Sequence, residues 1–193
     1  MDRREYDCTR RPYGAVYHGI YQKDLTDRIS RSKKRCSDRF GKRKTRSARK
    51  AAERLLLENR RGVLSVNGAE GYPYAIPINY YFDKEARKIY FHGAKAGHKV
   101  EALRACDKVC FTVYGNETVK EEAWAPFVQS VVVFGRCRLV EAGPEALERL
   151  KQFAMKYYPE EPLVDEEIAK AGKAAQMFEI EIEHLSGKEV QEK

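Results

Sequence analysis

Between Ala51 and Val190 the chain alternates short runs of period-two hydrophobicity with a few helical stretches. The clearest alternation is Tyr72–Phe82. Tyr72, Tyr74, Ile76, Ile78, Tyr80 and Phe82 take the even positions, and Pro73, Ala75, Pro77, Asn79 and Tyr81 the odd ones. Such a segment is a strand with one bulky apolar face and one small or polar face. The same reading predicts strands over Arg61–Val66, Lys88–His92, Val109–Tyr114, Val128–Glu141 and Met177–His184. In the last, Phe178, Ile180 and Ile182 point inward and Glu179, Glu181 and Glu183 outward, as expected of a half-buried strand that guards a sheet edge with charge. Asn67-Gly68 signals a hairpin turn, and Gly135 a bulge or barrel corner. Helical periodicity is confined to Ser47–Asn59, with Ala51, Ala52, Leu55 and Leu56 on one face, to Val100–Ala105, to Pro144–Tyr158 and to Asp165–Ala171. In Pro144–Tyr158 the apolar stripe is Leu147, Leu150, Phe153 and Tyr157. Six strands with short helices, and no strand–helix–strand alternation, predict a mainly β protein: a six-stranded β-barrel with flanking helices.

Candidate chemistry gathers in Gly71–Lys99. The small face of the second strand leaves room for a flat ligand, with Asn79 available for hydrogen bonds. After Phe91-His92-Gly93-Ala94, the segment Lys95-Ala96-Gly97-His98-Lys99 opens a helix. Cations at a helix N-terminus are disfavoured by roughly 0.3–1 kcal/mol each, and an anion bound there reverses that sign. Free N–H groups at a helix start, with lysines nearby, make a phosphate site. The segment reads either as a planar ring on strands with a phosphate at the helix start, or as a plain hairpin and helix with solvated lysines. His92, with an ordinary pKa near 6.5, is the titratable group best placed to donate a proton or bind an anion; alternatively it is a strand histidine satisfied by backbone. The 13-residue stretch Gly115–Phe127 reads as a long loop. It carries Glu121, Glu122 and the only tryptophan, Trp124, which either covers a ligand pocket or packs at a subunit interface.

Charge changes the picture at the N-terminus. The chain of 193 residues carries +8, yet residues 1–50 hold 17 Lys/Arg against 6 Asp/Glu while residues 51–193 hold 20 against 23. The basic excess therefore belongs to 1–50, and 51–193 is the expected folded domain. Arg31–Lys50 is too polar to bury a face. It reads as a disordered tail, as an upstream stretch outside the working protein, or as an arm binding nucleic acid or another anionic surface through salt-sensitive phosphate contacts. No stretch has the ~18 apolar residues of a membrane span, and no apolar region of a secretory signal follows the start. The five cysteines, Cys8, Cys36, Cys106, Cys110 and Cys137, form no regular framework, which suggests free thiols in a reducing compartment. No zinc spacing, nucleophile elbow or G-x-G-x-x-G is present, so neither a metal site, a triad hydrolase nor a Rossmann domain is expected.

In R-R-G-V-L-S-V at Arg60–Val66, Y-A-I-P-I-N-Y at Tyr74–Tyr80 and I-Y-F-H-G-A-K-A-G-H-K at Ile89–Lys99, the chain resembles the FMN-binding split-barrel family of pyridoxamine 5′-phosphate oxidase. K-V-C-F-T-V at Lys108–Val113 and S-V-V-V-F-G-R at Ser130–Arg136 support it, and the match is best with the nitroimidazole-resistance (Nim) branch. The resemblance implies a six-stranded split barrel binding FMN at a homodimer interface. It implies His92 beside the flavin as the catalytic residue, and Lys99 and Lys95 near the phosphate with Gly93 and Ala94 of the same motif. Ile76, Pro77 and Asn79 would run along the ring, with Ser130 and Val131 contributed from the second subunit. Trp124 would face a substrate pocket. The C-terminus, I-E-I-E-H-L-S-G-K-E-V-Q-E-K, lacks the arginine- and tryptophan-rich strand with which the oxidase proper grips its substrate, so oxidation of pyridoxamine phosphate is not expected. The expectation is a cytoplasmic, homodimeric FMN-dependent reductase of small nitroaromatic or other aromatic compounds, with NADH or NADPH as transient electron donor. Its rivals are a flavin- or haem-binding module without turnover, and a nucleic-acid-associated protein acting through residues 1–50.

Overall fold

Residues 46–119 and 127–190 are described in the computed structural model of the protein, all of them within the unit 44–193. In chain order the elements are α1 (Arg46–Glu58), β1 (Arg61–Asn67), β2 (Pro73–Asn79), β3 (Tyr81–Asp83), β4 (Lys88–Gly93), α2 (His98–Ala105), β5 (Lys108–Thr118), β6 (Phe127–Leu139), α3 (Pro144–Tyr157), α4 (Glu161–Ala171) and β7 (Gln176–Val190). The strands form one antiparallel sheet in the order β2-β1-β5-β6-β7-β4-β3.

The seventh strand arises because the segment read as one strand, Tyr72–Phe82, breaks at Tyr80. β2 pairs with β1 and β3 pairs with β4, so two segments one residue apart in sequence lie at opposite edges of the sheet. Consecutive Cα atoms are only about 3.8 Å apart. The sheet must therefore curl until its edges meet, which makes the half-barrel. Tyr80 itself is fully buried. Its N–H donates to Tyr157 Oη (2.8 Å) and its hydroxyl donates to the Leu56 carbonyl (2.8 Å). Tyr157 Oη donates in turn to the Arg60 carbonyl (2.5 Å). Lys156 Nζ donates to the carbonyls of Asn59 (2.6 Å) and Tyr80 (3.2 Å) and lies 4.2 Å from the Tyr80 ring centroid. Backbone groups that leave a ladder must find other partners, and α3 supplies them at this seam.

Leu64, Phe111, Val133, Phe91, Phe178 and Ile180 fill the inside of the curl. Leu55 and Leu56 of α1 plug it as their helical spacing predicts, and Val100 and Leu103 of α2 close it further. The Phe91 and Phe178 rings stack at 4.8 Å. Each such side chain contributes roughly 1.5–3 kcal/mol by leaving water.

Several boundaries differ from expectation, each for a pairing reason. The β1–β2 connection is a 3-10 turn, Ala69–Gly71, closed by Gly68 N–H on the Tyr72 carbonyl, and not a two-residue turn. β5 runs on to Thr118, with an irregular register between Gly115 and Thr118 and Asn116 at φ 55°, so the start of the expected loop is strand. Glu121, Glu122 and Trp124 lie outside the described residues. β7 continues to Val190 because β6 pairs with it as far as Val128↔Val190. Gly135 sits at the β6–β7 register shift, where a Cβ would come within 2.2 Å of the Glu181 carbonyl oxygen. β7 lies between β6 and β4 and guards no edge. Glu179, expected to face solvent, is instead buried between Lys88 (3.1 Å) and Arg138 (2.5 Å). Burial works to raise its pKa, but the hydrogen bonds from these two cations win and hold the carboxyl below the usual range. No helix among the described residues is long and apolar enough to cross a membrane.

Candidate functional site

The alternation of β2 survives in three dimensions. Tyr74, Ile76 and Ile78 pack on the core, and Pro73, Ala75, Pro77 and Asn79 face outward, exposed. β2 is an edge strand, and proline fits within a sheet only where its missing N–H would point away from a neighbour. Pro77, and with it Ala75 and Asn79, therefore turns its backbone groups to the free edge.

The curl brings the other edge of the sheet to this one. An open cleft of about 460 Å³ is lined by Arg61 of β1, by Pro77, Ile78 and Asn79 of β2, by His92 of β4 and by Phe153 of α3. The His92 ring stands edge-on to Phe153, centroids 4.8 Å apart at 85°. Partial burial, with Lys99 adding like charge, pushes the His92 pKa below its ordinary value. At pH 7 the ring is accordingly neutral, with one N–H donor and one lone pair.

Lys99 lies beside the same end of β4. Its Nζ sits 4.8 and 5.2 Å from the ring centroids of Phe178 and Phe91. Gly93 makes room for it: a Cβ there would lie 2.6 Å from that nitrogen. Burial lowers the Lys99 pKa, opposed by Cys137, whose own buried thiol is pushed up to about 12. Among the described residues the ammonium has no hydrogen-bond acceptor or ion-pair partner. α2 begins at His98, so Lys99 falls in its first turn; Gly97 before it adopts φ 116°, and no side chain caps the helix. His98 packs edge-on against Tyr74, at 4.6 Å, and ties the helix start to β2. Lys95, by contrast, donates to the Lys173 carbonyl at 2.7 Å.

The expected residues thus divide. Pro77, Asn79 and His92 meet in the cleft, with Gly93 and Lys99 next to it; Ile76 packs inward behind it, and Ala94 is exposed on the connection to α2. Ser130 and Val131 of β6 line a separate crevice of about 50 Å³ beneath α1. Arg61 and Phe153 were not foreseen. Arg61 carried a signal, since it is a cation at an outward position of an apolar strand. Phe153 carried none, because its spacing reads as helix core and it is indeed 5% exposed.

Some cations of the domain pair with carboxylates and others do not. Arg136, Arg138, Arg149, Lys88 and Lys151 all pair with carboxylates. Arg60, Arg61, Lys99 and Lys156 pair with none among the described residues. Arg60 instead lies 6.0 Å over the Tyr157 ring.

A curled antiparallel sheet closed at one strand break, with flanking helices, is a split β-barrel. The family model for pyridoxamine 5′-phosphate oxidase matches residues 48–189, and the chain belongs to that family. The fold is shared with a candidate 5-nitroimidazole antibiotic resistance protein from Bacteroides thetaiotaomicron (TM-score 0.61, 18% identity, 72% of this chain and 82% of that one). It is shared also with an FAD-binding protein from Mesorhizobium loti (0.51, 23%, 73% and 94%) and an FAD and heme binding protein from Mycobacterium smegmatis (0.59, 16%, 75% and 72%). No curated protein matches the sequence significantly. At these identities the likeness is one of fold.

Proposed function

We propose that the protein is a homodimeric, cytoplasmic flavoprotein that binds FMN along the free edge of β2 and reduces small nitroaromatic or other aromatic compounds, with NADH or NADPH as electron donor. The observation that carries this reading is Lys99: a half-buried ammonium without an acceptor among the described residues, in the first turn of an uncapped helix, seated in the space that Gly93 leaves for it. That donor set suits a phosphate. The exposed edge of β2, with Asn79 and the backbone of Ala75 and Pro77, suits the heteroatom-rich rim of a flat ring. Bound flavin supplies the two-electron chemistry. The protein's part is to hold the ring, to keep water from one side with Phe153, and to offer the neutral His92 N–H to a reacting atom.

Two uncharged cross-strand rows on the outer sheet face, Val63–Thr112–Val132 and Ser65–Cys110, support a second copy covering this face. Ser130 on the outer face of β6 is proposed to contribute to the flavin site of that copy, with Val131, whose side chain is in the core, contributing through its backbone only. Cys106, Cys110 and Cys137 are free thiols, as suits the cytoplasm.

An absorbance spectrum of the purified protein, before and after anaerobic addition of NADH or NADPH, tests the proposal. Flavin bands that bleach are expected. Bands that persist with both donors point to a binding module, a Soret band assigns the cleft to haem, and no flavin binding on titration with FMN removes the proposed function.

A further inference from the structure

We infer that the substrate of this cleft is an aromatic acid, its ring against Phe153 and Pro77 and its anionic group on the guanidinium of Arg61. The inference rests on the reading of the cleft as the substrate site and adds the chemical class that it accepts. Arg61 lines the cleft, is exposed, and has no ion-pair or hydrogen-bond partner among the described residues. Among the described residues no carboxylate lines the cleft with it. Behind the wall stand Arg60 and Lys156, the latter bonded to the Tyr80 carbonyl one residue from Asn79. Lys99 stands beside the His92 end of β4.

This concentration is not a by-product of a basic domain. Residues 51–193 hold fewer Lys/Arg than Asp/Glu, 20 against 23, so the cleft gathers positive charge in a domain whose formal charge is slightly negative. A cleft of one sign with apolar walls focuses its field and draws in counter-charge. Burial, with like charge from Lys99, lowers the His92 pKa, and burial, with like charge from Arg60, lowers that of Lys156 to about 8. Since His92 is neutral at pH 7, it is no standing partner for an anion. Arg61 is, and its planar fork matches a carboxylate in two parallel hydrogen bonds. The apolar part of the lining, Pro77, Ile78 and Phe153, fits the ring that carries the acid. A cationic aromatic would meet the same field as repulsion, which is how one cleft selects by charge.

The test measures calorimetric binding of 4-nitrobenzoate and the neutral 4-nitrobenzyl alcohol to the full chain, with and without FMN. The native protein, Arg61→Gln and Arg61→Lys are compared. The acid is expected to bind about tenfold tighter or more, the equivalent of one charge-assisted hydrogen bond. The preference shrinks as salt rises from about 50 to about 500 mM, because the site is open to screening. Arg61→Gln brings the ratio to about one, and Arg61→Lys keeps part of it. Equal binding of the two probes by the native protein, binding of neither, or a preference that survives Arg61→Gln overturns the inference. So does a parallel loss of FMN affinity in Arg61→Gln, which would give the guanidinium to the cofactor phosphate. An Arg61-dependent preference in a protein that oxidises no NADH or NADPH would keep the inference and remove the reductase. Nitro reduction without charge preference would do the reverse.

Discussion

The seam at Tyr80 and the cleft it borders use the same kinds of residue in opposite ways. At the seam, Tyr80, Tyr157 and Lys156 are buried or half-buried, and their polar atoms meet within the protein: N–H on phenol, phenol on carbonyl, ammonium on two carbonyls. At and beside the neighbouring cleft, Arg61 and Lys99 carry charge that no described residue neutralises. Buried polar groups are satisfied when they serve the fold, because an unsatisfied one costs about 1–3 kcal/mol. Charged groups at an open cleft are met by water until a ligand displaces it. The difference separates residues that shape the site from residues that would use it.

Substitutions on either side sharpen that distinction. Tyr80→Ala should have the largest effect on stability, roughly 3–5 kcal/mol in guanidinium denaturation, since it empties a fully buried aromatic position and strips the Leu56 carbonyl of its donor. A loss under ~1 kcal/mol would mean that the barrel closes without this residue. His92→Ala should leave both folding and FMN binding intact while lowering turnover by about 10²–10⁴-fold, the usual share of a positioned acid–base group. Full activity would take His92 out of the mechanism. Lys99→Ala is expected to weaken FMN by on the order of 1–3 kcal/mol with little change in the denaturation midpoint. An unchanged FMN titration would place the phosphate elsewhere.

The smallest effect is one of pH. Burial, then Arg60, lowers the folded-state pKa of Lys156 from 10.5 to about 8. Between those values the folded chain has released a proton that the unfolded chain still holds, so this group makes stability rise with pH across that window and adds no slope below it. Lys156→Arg, charged throughout, should lack the rise. Parallel stability curves for the two proteins between about pH 8 and pH 10 would sink the assignment.

Much of the molecule was legible in the chain. The spacing of Leu55 and Leu56, the alternation of Ile76 and Ile78 and the glycine at Gly135 each act locally, through helical period, strand pleat and steric room, and each appears as expected. The failures share a cause. Glu179 looked like a solvent-facing residue because alternation describes faces and not neighbours; only the pairing with β4 and β6 puts Lys88 and Arg138 around it. Tyr80 continued an unbroken alternation, and nothing in its identity announced that two partner strands lay at opposite edges of the sheet.

The candidate site divides along the same line. Pro77, Asn79, His92 and Lys99 stand in motifs whose residue types suggest a ring and a phosphate, and the first three do meet in one cleft. Arg61 and Phe153 join them only because the sheet curls, which brings β4 and α3 against the β2 edge. The sequence by itself determined where strands and helices lie, their apolar faces and the inventory of donors; the break at Tyr80 and the strand ends came from pairing. Which donors share a cleft, and which cations find no carboxylate, was decided by tertiary structure. Hydrophobic period is a property of neighbours along the chain, whereas proximity of charge depends on contacts between segments far apart in it.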